Sequence, residues 1–298
     1  MIYLLNQHLD DKSVNDAITN QEIEQMQQWT KHRQQIKFLT MNYGPLERLN
    51  LTFLNLEHQV VNMFDLWQQA SPALPLWNGY PTAFDLGWNK DLVISPNHPL
   101  AHVMLSDDEV ATIHLFNGTE QVMQVDYLDK LQNLLRTDLY DSRGFLSRSL
   151  YYGNDERLVH AITYNLMHEV IMTEDFSHAT AQNVLSRLVL HYQGTLHRFN
   201  DYDTLFLYFL TQFIHDDDIL IAEQPLMMQM LAQLDPNIHC MRYLLINPQS
   251  TSTHWQSILQ QDASVFDGLL VYQDSQRQTI NQWLVAHQIH NLNCHLMS

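Results

Sequence analysis

Basic residues and glycines are scarce in this chain of 298 residues, and each scarcity argues against a class of protein. Only 15 Lys and Arg oppose 33 Asp and Glu, which gives a formal net charge of -18. A protein with that field repels phosphates, so we expect no nucleic-acid partner. The 8 glycines form neither a G-x-G-x-x-G turn nor a Walker lysine loop, so the chain lacks the usual backbone cradle for a pyrophosphate.

The chain also lacks the patterns that direct proteins into membranes or oxidising compartments. Its two cysteines, Cys240 and Cys294, have no metal-ligand spacing. The opening residues MIYLLNQHLDD lack the basic region and long apolar stretch of a signal peptide, and no apolar run approaches the roughly 20 residues needed to span a bilayer. We therefore expect a cytoplasmic protein without a transmembrane segment, which meets the inner face of the membrane only peripherally or through partners.

Three kinds of periodicity divide the sequence. Residues 1–84 alternate apolar runs with helical patterns, including a helix predicted over Asn20 to Lys31 and the strand-like run IKFLTMNY. Residues 85–178 carry period-two patterns separated by short turns, and the clearest hairpin turns at Asn117-Gly118. Residues 179–298 return to alternating helices and strands. Gly44-Pro45 breaks the first strand, and Pro45 is placed to open a helix whose apolar residues are Leu46, Leu49, Phe53 and Leu56.

These blocks predict an α/β fold. The strand candidates of the two outer blocks are apolar without clean alternation, as in parallel strands covered by helices on both faces. The first block alone supplies too few strands for a stable sheet. We therefore predict a doubly wound, Rossmann-like sheet domain formed by residues 1–84 and 179–298. An antiparallel β-sheet domain, residues 85–178, is inserted into it.

Candidate binding residues lie after the strands, because ligands of open parallel sheets gather beyond the carboxyl ends of the strands. Tyr43 and Glu223 are the residues there that we would assign to a ligand, with ordinary turns as the alternative. Trp77 and Trp88 belong to a Pro- and aromatic-rich segment that could stack on sugar rings, although such a segment often packs a long connection onto the core. The strand-end segments are Asn42-Tyr43-Gly44-Pro45, Glu223-Gln224-Pro225 and Gln273-Asp274.

Metal-ligand and catalytic patterns fail on inspection. His215-Asp216-Asp217-Asp218 concentrates the oxygen ligands that a hard cation prefers, but its place before an apolar strand is typical of a solvated turn. His168-Glu169 does not form an H-E-x-x-H motif, because Met172 stands where the second histidine is required. A G-x-S-x-G nucleophile elbow is also missing. We expect no metal, no cofactor and no catalytic residue.

Four motifs in order resemble a known family, the accessory Sec system protein termed Asp-one, where the prefix abbreviates accessory secretory protein. The most specific element is D-x-R-G-F-x-S, carried by Asp141, Arg143, Gly144, Phe145 and Ser147. A similar motif occurs in the β-sheet insertions of related bacterial glycosyltransferases, and the order of the motifs favours the accessory Sec family. The four are MNYGPLERLNLTFLNLEHQVVNMFDLWQQ, LPLWNGYPTAFDLGW, LVISPNHPLAHV and LYDSRGFLSRSLYYG.

The resemblance implies a GT-B glycosyltransferase-like architecture, of which this chain matches the N-terminal half, without donor chemistry. It also implies partners: sister accessory Sec proteins, the accessory Sec motor ATPase and glycosylated serine-rich adhesins. The alternative is an active GT-B glycosyltransferase, or its chaperone-like partner subunit, acting on those adhesins. Retaining GT-B enzymes place an E-x7-E pair in a second half of the fold, and no two glutamates here have that spacing.

Overall fold

The structure, a computed structural model, describes residues 1–6, 36–45, 47–53, 55–70, 81–88, 91–94, 99–177, 183–246 and 254–296. The chain divides into two compact units. The first unit comprises Met1–Asn42, His58–Met63 and Asp203–Ser298, and the second comprises Tyr43–Glu57 and Phe64–Tyr202. The chain therefore enters and leaves the first unit more than once, as an inserted unit requires.

Strands dominate the described part of the chain. They are β1 Ile2–Asn6, β2 Ile36–Thr40, β3 Val60–Asn62, β4 Leu92–Ile94, β5 Leu100–Leu105, β6 Asp108–Leu115, β7 Val122–Leu128, β8 Leu134–Tyr140, β9 Leu146–Tyr152, β10 Leu158–Tyr164, β11 Val170–Ser177, β12 Val184–Tyr192, β13 Thr195–Phe199, β14 Ile219–Ala222, β15 Met241–Ile246, β16 Gly268–Val271 and β17 Asn293–Leu296. The α-helices are α1 Glu47–Phe53, α2 Met63–Trp67, α3 Tyr202–Phe213, α4 Pro225–Gln233, α5 His254–Asp262 and α6 Asp274–Ala286. Short 3-10 helices span Ala83–Leu86 and Ala263–Val265.

The first unit is built on a parallel sheet of seven strands in the order β17-β16-β15-β14-β1-β2-β3. Neighbouring strands are parallel, from Ile2 opposite Ile36 to Gly268 opposite Asn293. The order reverses between β1 and β14, so strands from opposite ends of the sequence lie side by side at the centre. The predicted doubly wound sheet, shared by the two outer blocks, is confirmed.

Helical periodicity accounts for the core of the first unit. Leu205, Phe206, Phe209 and Leu210 repeat at the spacing of one helix face and are all buried on α3. Pro225 stands at the start of α4, where its missing N–H has no intrahelical partner to lose. The central strands bury their apolar residues fully, including Leu5, Leu39, Leu220, Leu244 and Leu269.

The second unit contains an antiparallel sheet of ten strands, β4 to β13, in which every strand pairs with its neighbour in sequence. The predicted hairpin forms between β6 and β7, and Gly118 adopts the left-handed conformation with φ 75°. Alternation is clear along β5 and β6, where Ala101, Val103, Ala111 and Ile113 are buried. This meander confirms the predicted antiparallel insertion.

Several local predictions need correction. The helix after Gly44 begins at Glu47, and Pro45 lies in the preceding turn. Phe53 was expected on its apolar face but is 77% exposed, because the helix buries the Leu51 side instead. The antiparallel sheet continues to Phe199, past the expected limit at residue 178, since the run Leu188–Leu190 is buried on successive residues and hides the period-two pattern. The helix predicted over residues 20–31 lies outside the described residues.

A histidine–carboxylate pair crosses β6 and β7 of this sheet. His114 Nε2 lies 2.9 Å from Asp126 Oδ2, and Asp126 Oδ1 accepts hydrogen bonds from Thr137 Oγ1 at 2.6 Å and Gln124 Nε2 at 2.9 Å. Burial raises the pKa of the Asp126 carboxyl, but these hydrogen bonds and the His114 ring lower it overall. A carboxyl with a depressed folded-state pKa stabilises the protein above its unfolded pKa, and that contribution is lost as the pH falls.

We therefore expect Asp126→Asn to lower the melting temperature at pH 7. The gap between variant and wild type narrows as the pH falls below about 4, the ordinary range of an unfolded aspartate. Thermal unfolding followed by circular dichroism between pH 7 and pH 3 measures this difference in melting temperature. Asp107→Asn, at an exposed turn residue, is the control. A gap that stays constant or widens toward low pH contradicts the assignment.

Candidate functional site

Two separate pairs of strands in the first unit end in hydrogen-bonded polar residues. Glu223 directly follows β14, and the Tyr272 hydroxyl, which follows β16, donates to Glu223 Oε2 at 3.5 Å. Asn62 Nδ2 donates to Thr40 Oγ1 at 2.9 Å and to the Asn42 carbonyl at 2.7 Å. Glu223 thus lies beyond the carboxyl end of β14, a central strand of the sheet. Its assignment to a ligand stays a prediction.

In the acidic run His215-Asp216-Asp217-Asp218 before β14, the last residue makes hydrogen bonds within the first unit. Asp218 accepts from the amino group of Met1 at 2.8 Å and from the backbone N–H of His215 at 2.9 Å. His215, Asp216 and Asp217 are exposed, as the solvated-turn interpretation predicted, whereas Asp218 is buried. Within the described ranges, no group of three His, Cys, Asp or Glu side chains could hold a metal ion.

Tyr43 belongs to the second unit, where it packs beside the family motif. Its hydroxyl donates to Ser147 Oγ at 2.8 Å, and its ring meets Phe64 edge-on with centroids 5.3 Å apart. The guanidinium of Arg148 lies over the same ring at 5.3 Å. Tyr43 is therefore half-buried among contacts of its own unit.

The D-x-R-G-F-x-S motif forms the tight turn between β8 and β9. Asp141 Oδ1 accepts from the backbone N–H of Arg143 at 2.8 Å, an Asx-type turn that short polar side chains favour. The N–H of Gly144 donates to the Asp141 carbonyl at 2.8 Å, and Gly144 has φ 98°, a conformation that other residues rarely adopt. The turn therefore depends on the aspartate, whose side chain accepts a backbone hydrogen bond, and on the glycine, which adopts a positive φ.

Arg143 turns inward and is held by two carboxylates. Its Nε and Nη2 donate to the two oxygens of Asp141 at 2.6 and 2.8 Å, and Nη2 also donates to Asp65 Oδ1 at 2.5 Å. Its Nη1 donates to the Ala70 carbonyl at 3.3 Å. Burial by itself lowers the pKa of Arg143, but Asp141 and Asp65 raise it overall, so the guanidinium remains charged. Only 1% of this side chain is exposed.

The last residue of the motif is held by a glutamine distant in sequence. Gln68 Nε2 lies within hydrogen-bond distance of Ser147 Oγ at 2.7 Å, of the Ser147 carbonyl at 3.2 Å and of the Tyr164 carbonyl at 3.0 Å. The N–H of Leu166 donates to the Gln68 carbonyl at 3.3 Å. Asp65 and Gln68, which sequence reasoning missed, both lie in the stretch FDLWQQ of the first family motif. Their shared membership of that motif was the available signal.

A second buried ion pair lies close by in the same unit. Arg148 Nη2 contacts both carboxylate oxygens of Glu174 at 2.7 Å, and the Tyr202 hydroxyl donates to Glu174 Oε1. Glu174 is fully buried. Burial raises the pKa of the Tyr202 hydroxyl, and the adjacent carboxylate reinforces that shift. Sequence reasoning did not find this cluster, because β9, β11 and α3 supply one residue each.

The aromatic candidates have different outcomes. Trp77 lies outside the described residues. The Trp88 ring meets Tyr127 edge-on at 5.8 Å and packs against the apolar core beneath β5 to β8, which is the packing alternative. Contact of Trp88 with a glycan stays a prediction.

The motif side chains lie inside the second unit. Asp141, Arg143, Phe145 and Ser147 are all buried, and the three polar ones make hydrogen bonds within the protein. This arrangement clamps the turn onto α2 and the segment that follows it. The motif is therefore stronger evidence for the fold than for a particular reaction.

Comparison with solved structures defines the class of fold as GT-B glycosyltransferase-like. Aligned over 100% of this chain, accessory secretory protein 1,2 and 3 of Streptococcus pneumoniae gives a TM-score of 0.70 at 17% identity and 62% coverage of that chain. The GtfA/B complex gives 0.75 at 15% identity, with 100% and 60% coverage. The pneumococcal O-GlcNAc transferase GtfA, solved with UDP and GlcNAc, gives 0.74 at 13% identity, with 99% and 60% coverage.

The structural neighbours thus include both accessory secretory proteins and glycosyltransferases, as the family resemblance predicted. No protein-family model matches the sequence, and no curated protein matches it. The chain spans about three fifths of the length of the structures it resembles. Across the ranges that the structure describes, no helix has the length and apolarity to cross a membrane.

Proposed function

We propose that this chain is a non-catalytic component of the accessory Sec export system. It works in complex with sister accessory Sec proteins and supports the transport of glycosylated serine-rich adhesins to the motor ATPase at the inner face of the membrane. The observation that carries the proposal is similarity along the whole chain to an accessory secretory protein complex, at a TM-score of 0.70.

The motif geometry supports the non-catalytic part of the proposal. The polar groups of D-x-R-G-F-x-S make contacts inside the second unit, and Arg143 is neutralised by Asp141 and Asp65. A donor site needs accessible cationic groups for the nucleotide phosphates. In the first unit, the carboxylate of Glu223 at the end of β14 opposes a sugar-nucleotide diphosphate.

An active glycosyltransferase, or the partner subunit of one, is the second candidate. The GtfA/B complex and the O-GlcNAc transferase match this chain with TM-scores of 0.75 and 0.74, above the 0.70 of the accessory secretory protein. The two candidates differ in what the full-length protein does with UDP-GlcNAc.

Co-assembly and transfer are therefore measured on the same preparation of full-length protein. We expect it to co-elute with co-expressed sister accessory proteins in size-exclusion chromatography. We also expect no release of UDP from UDP-GlcNAc in the presence of a serine-rich acceptor peptide. The pneumococcal O-GlcNAc transferase is the positive control for transfer. UDP release above background would establish the second candidate. Elution of the protein without any of the co-expressed sister proteins would overturn the first candidate.

A further inference from the structure

The chain passes between the two units four times, and three of these crossings come together at one place inside the second unit. On the second-unit side, the residues at these three crossings are Tyr43, Phe64 and Tyr202. They lie around the buried ion pair of Arg148 and Glu174. These five residues, all of the second unit, form the crossing cluster.

Direct contacts hold the residues of the crossing cluster together. The rings of Tyr43 and Phe64 meet edge-on with centroids 5.3 Å apart, and the Arg148 guanidinium lies 5.3 Å from the centroid of Tyr43. Arg148 Nη2 contacts both oxygens of Glu174 at 2.7 Å, and the Tyr202 hydroxyl donates to the same carboxylate. Phe64 and Glu174 are buried. A continuous series of contacts therefore joins the first of these crossings to the last.

The first unit is assembled from segments that are distant in sequence. Its central strands β1 and β14 pair directly, although the long segment Phe64–Tyr202 of the second unit lies between them along the chain. Bringing the ends of a long loop together costs conformational entropy. A folded insertion whose two ends are held at one place removes most of that cost. The crossing cluster contains both ends of this segment, so it provides such a connection.

Helix α3 begins at the last crossing and continues into the first unit. Tyr202 is its first residue, and the apolar face of the helix is buried. Its last residue, Phe213, meets Tyr3 of β1 edge-on with ring centroids 5.4 Å apart. Helix ends fray when nothing holds them. The hydroxyl of Tyr202 therefore fixes the start of an element that packs on the central strand of the first unit.

We propose that the crossing cluster couples the stability of the first unit to that of the second. It holds the ends of the inserted segment together, and this stabilises the parallel sheet whose strands the insertion separates in sequence. The coupling acts along the chain, through the segments that adjoin each crossing. This conformational role is independent of the proposed function, because it requires no partner and no ligand.

Hydrogen–deuterium exchange of the full chain, read by mass spectrometry, tests the coupling segment by segment. Tyr202→Phe removes the hydroxyl and keeps the ring. We expect the amides of α3 and β14 to exchange about tenfold faster than in the wild type, through loss of a hydrogen bond to a charged group. Tyr43→Phe removes the hydrogen bond to Ser147 and should cause a smaller acceleration in β2, the strand that precedes this crossing.

The chain offers a matched control, Tyr127→Phe. Like Tyr202, Tyr127 donates to a buried carboxylate that an arginine also binds, in this case that of Asp138. Tyr127 lies on β7 and does not belong to the crossing cluster. We expect Tyr127→Phe to accelerate exchange in β7 and β8 and to leave exchange in α3 and β14 unchanged.

Unchanged exchange in α3 and β14 of the Tyr202→Phe variant overturns the proposal, because the cluster would then stabilise the second unit alone. Equal acceleration of α3 and β14 by Tyr127→Phe also overturns it, because the first unit would then respond to any loss of stability in the second. Acceleration of these segments by Tyr202→Phe and not by Tyr127→Phe supports it.

Discussion

Replacement of Arg143 by alanine is expected to lower the free energy of unfolding by about 3–5 kcal/mol, the usual result of breaking a buried ion pair from one side. Arg143 is buried and neutralises Asp141, which is itself buried, and also contacts Asp65 and the Ala70 carbonyl. Without the guanidinium, the buried Asp141 carboxylate and the partly exposed Asp65 carboxylate lose their partner. The turn between β8 and β9 then loses its attachment to α2.

Urea unfolding followed by tryptophan fluorescence measures this effect, with Trp67 close to the clamp on α2. Arg157→Ala is the control. Arg157 is 39% exposed and pairs with Asp155 at 3.3 Å, so its loss should cost less than about 1 kcal/mol. Arg143→Lys keeps the charge but lacks the fork that spans both carboxylates, so an intermediate loss is expected. If Arg143→Ala unfolded at the same urea concentration as Arg157→Ala, the clamp would have no energetic role.

The second large effect is expected at Glu174. Glu174→Ala removes the carboxylate that binds Arg148 and accepts from Tyr202, and leaves a charged guanidinium in the interior. A guanidinium keeps its proton at neutral pH even when it is buried, so Arg148 stays charged in the variant and cannot relieve the cost by losing its proton. We expect a loss of about 3–5 kcal/mol.

A double variant separates the cost of an orphaned charge from the value of the pair. Arg148→Met combined with Glu174→Leu leaves no buried charge, and apolar replacement of both partners is often neutral or stabilising. We therefore expect the double variant to unfold at a higher urea concentration than Glu174→Ala alone. Asp155→Ala, at an exposed pair in the same unit, should have little effect. A double variant that is less stable than either single change would mean that the ion pair itself stabilises the sheet.

The architecture could be predicted because it depends on short-range periodicity. Apolar runs such as IKFLT and ILIA, each followed by a helical pattern, indicated a parallel sheet, and the Asn117-Gly118 turn indicated a hairpin. The prediction was weakest where that periodicity was blurred. Leu188 to Leu190 of β12 are buried on successive residues, so the end of the antiparallel sheet could not be read from alternation.

The candidate site could be predicted only in part. The family resemblance singled out Asp141, Arg143 and Ser147 as marker residues, and the structure shows that the aspartate and the glycine of the motif form a local turn. Their partners were not predictable in the same way. Arg143 contacts Asp65 across a separation of 78 residues, and no local pattern in either segment indicates that the two residues are in contact.

By itself, the sequence determined the doubly wound class, the inserted meander and the family motif, because each depends on residues within a few positions of one another. Only the tertiary structure decided that the motif is a buried clamp and that Tyr43 packs against it. The same holds for the ion pair of Arg148 and Glu174 with Tyr202. These residues lie on β9, β11 and α3, and strand pairing and register, which are set by the whole sheet, bring the first two together.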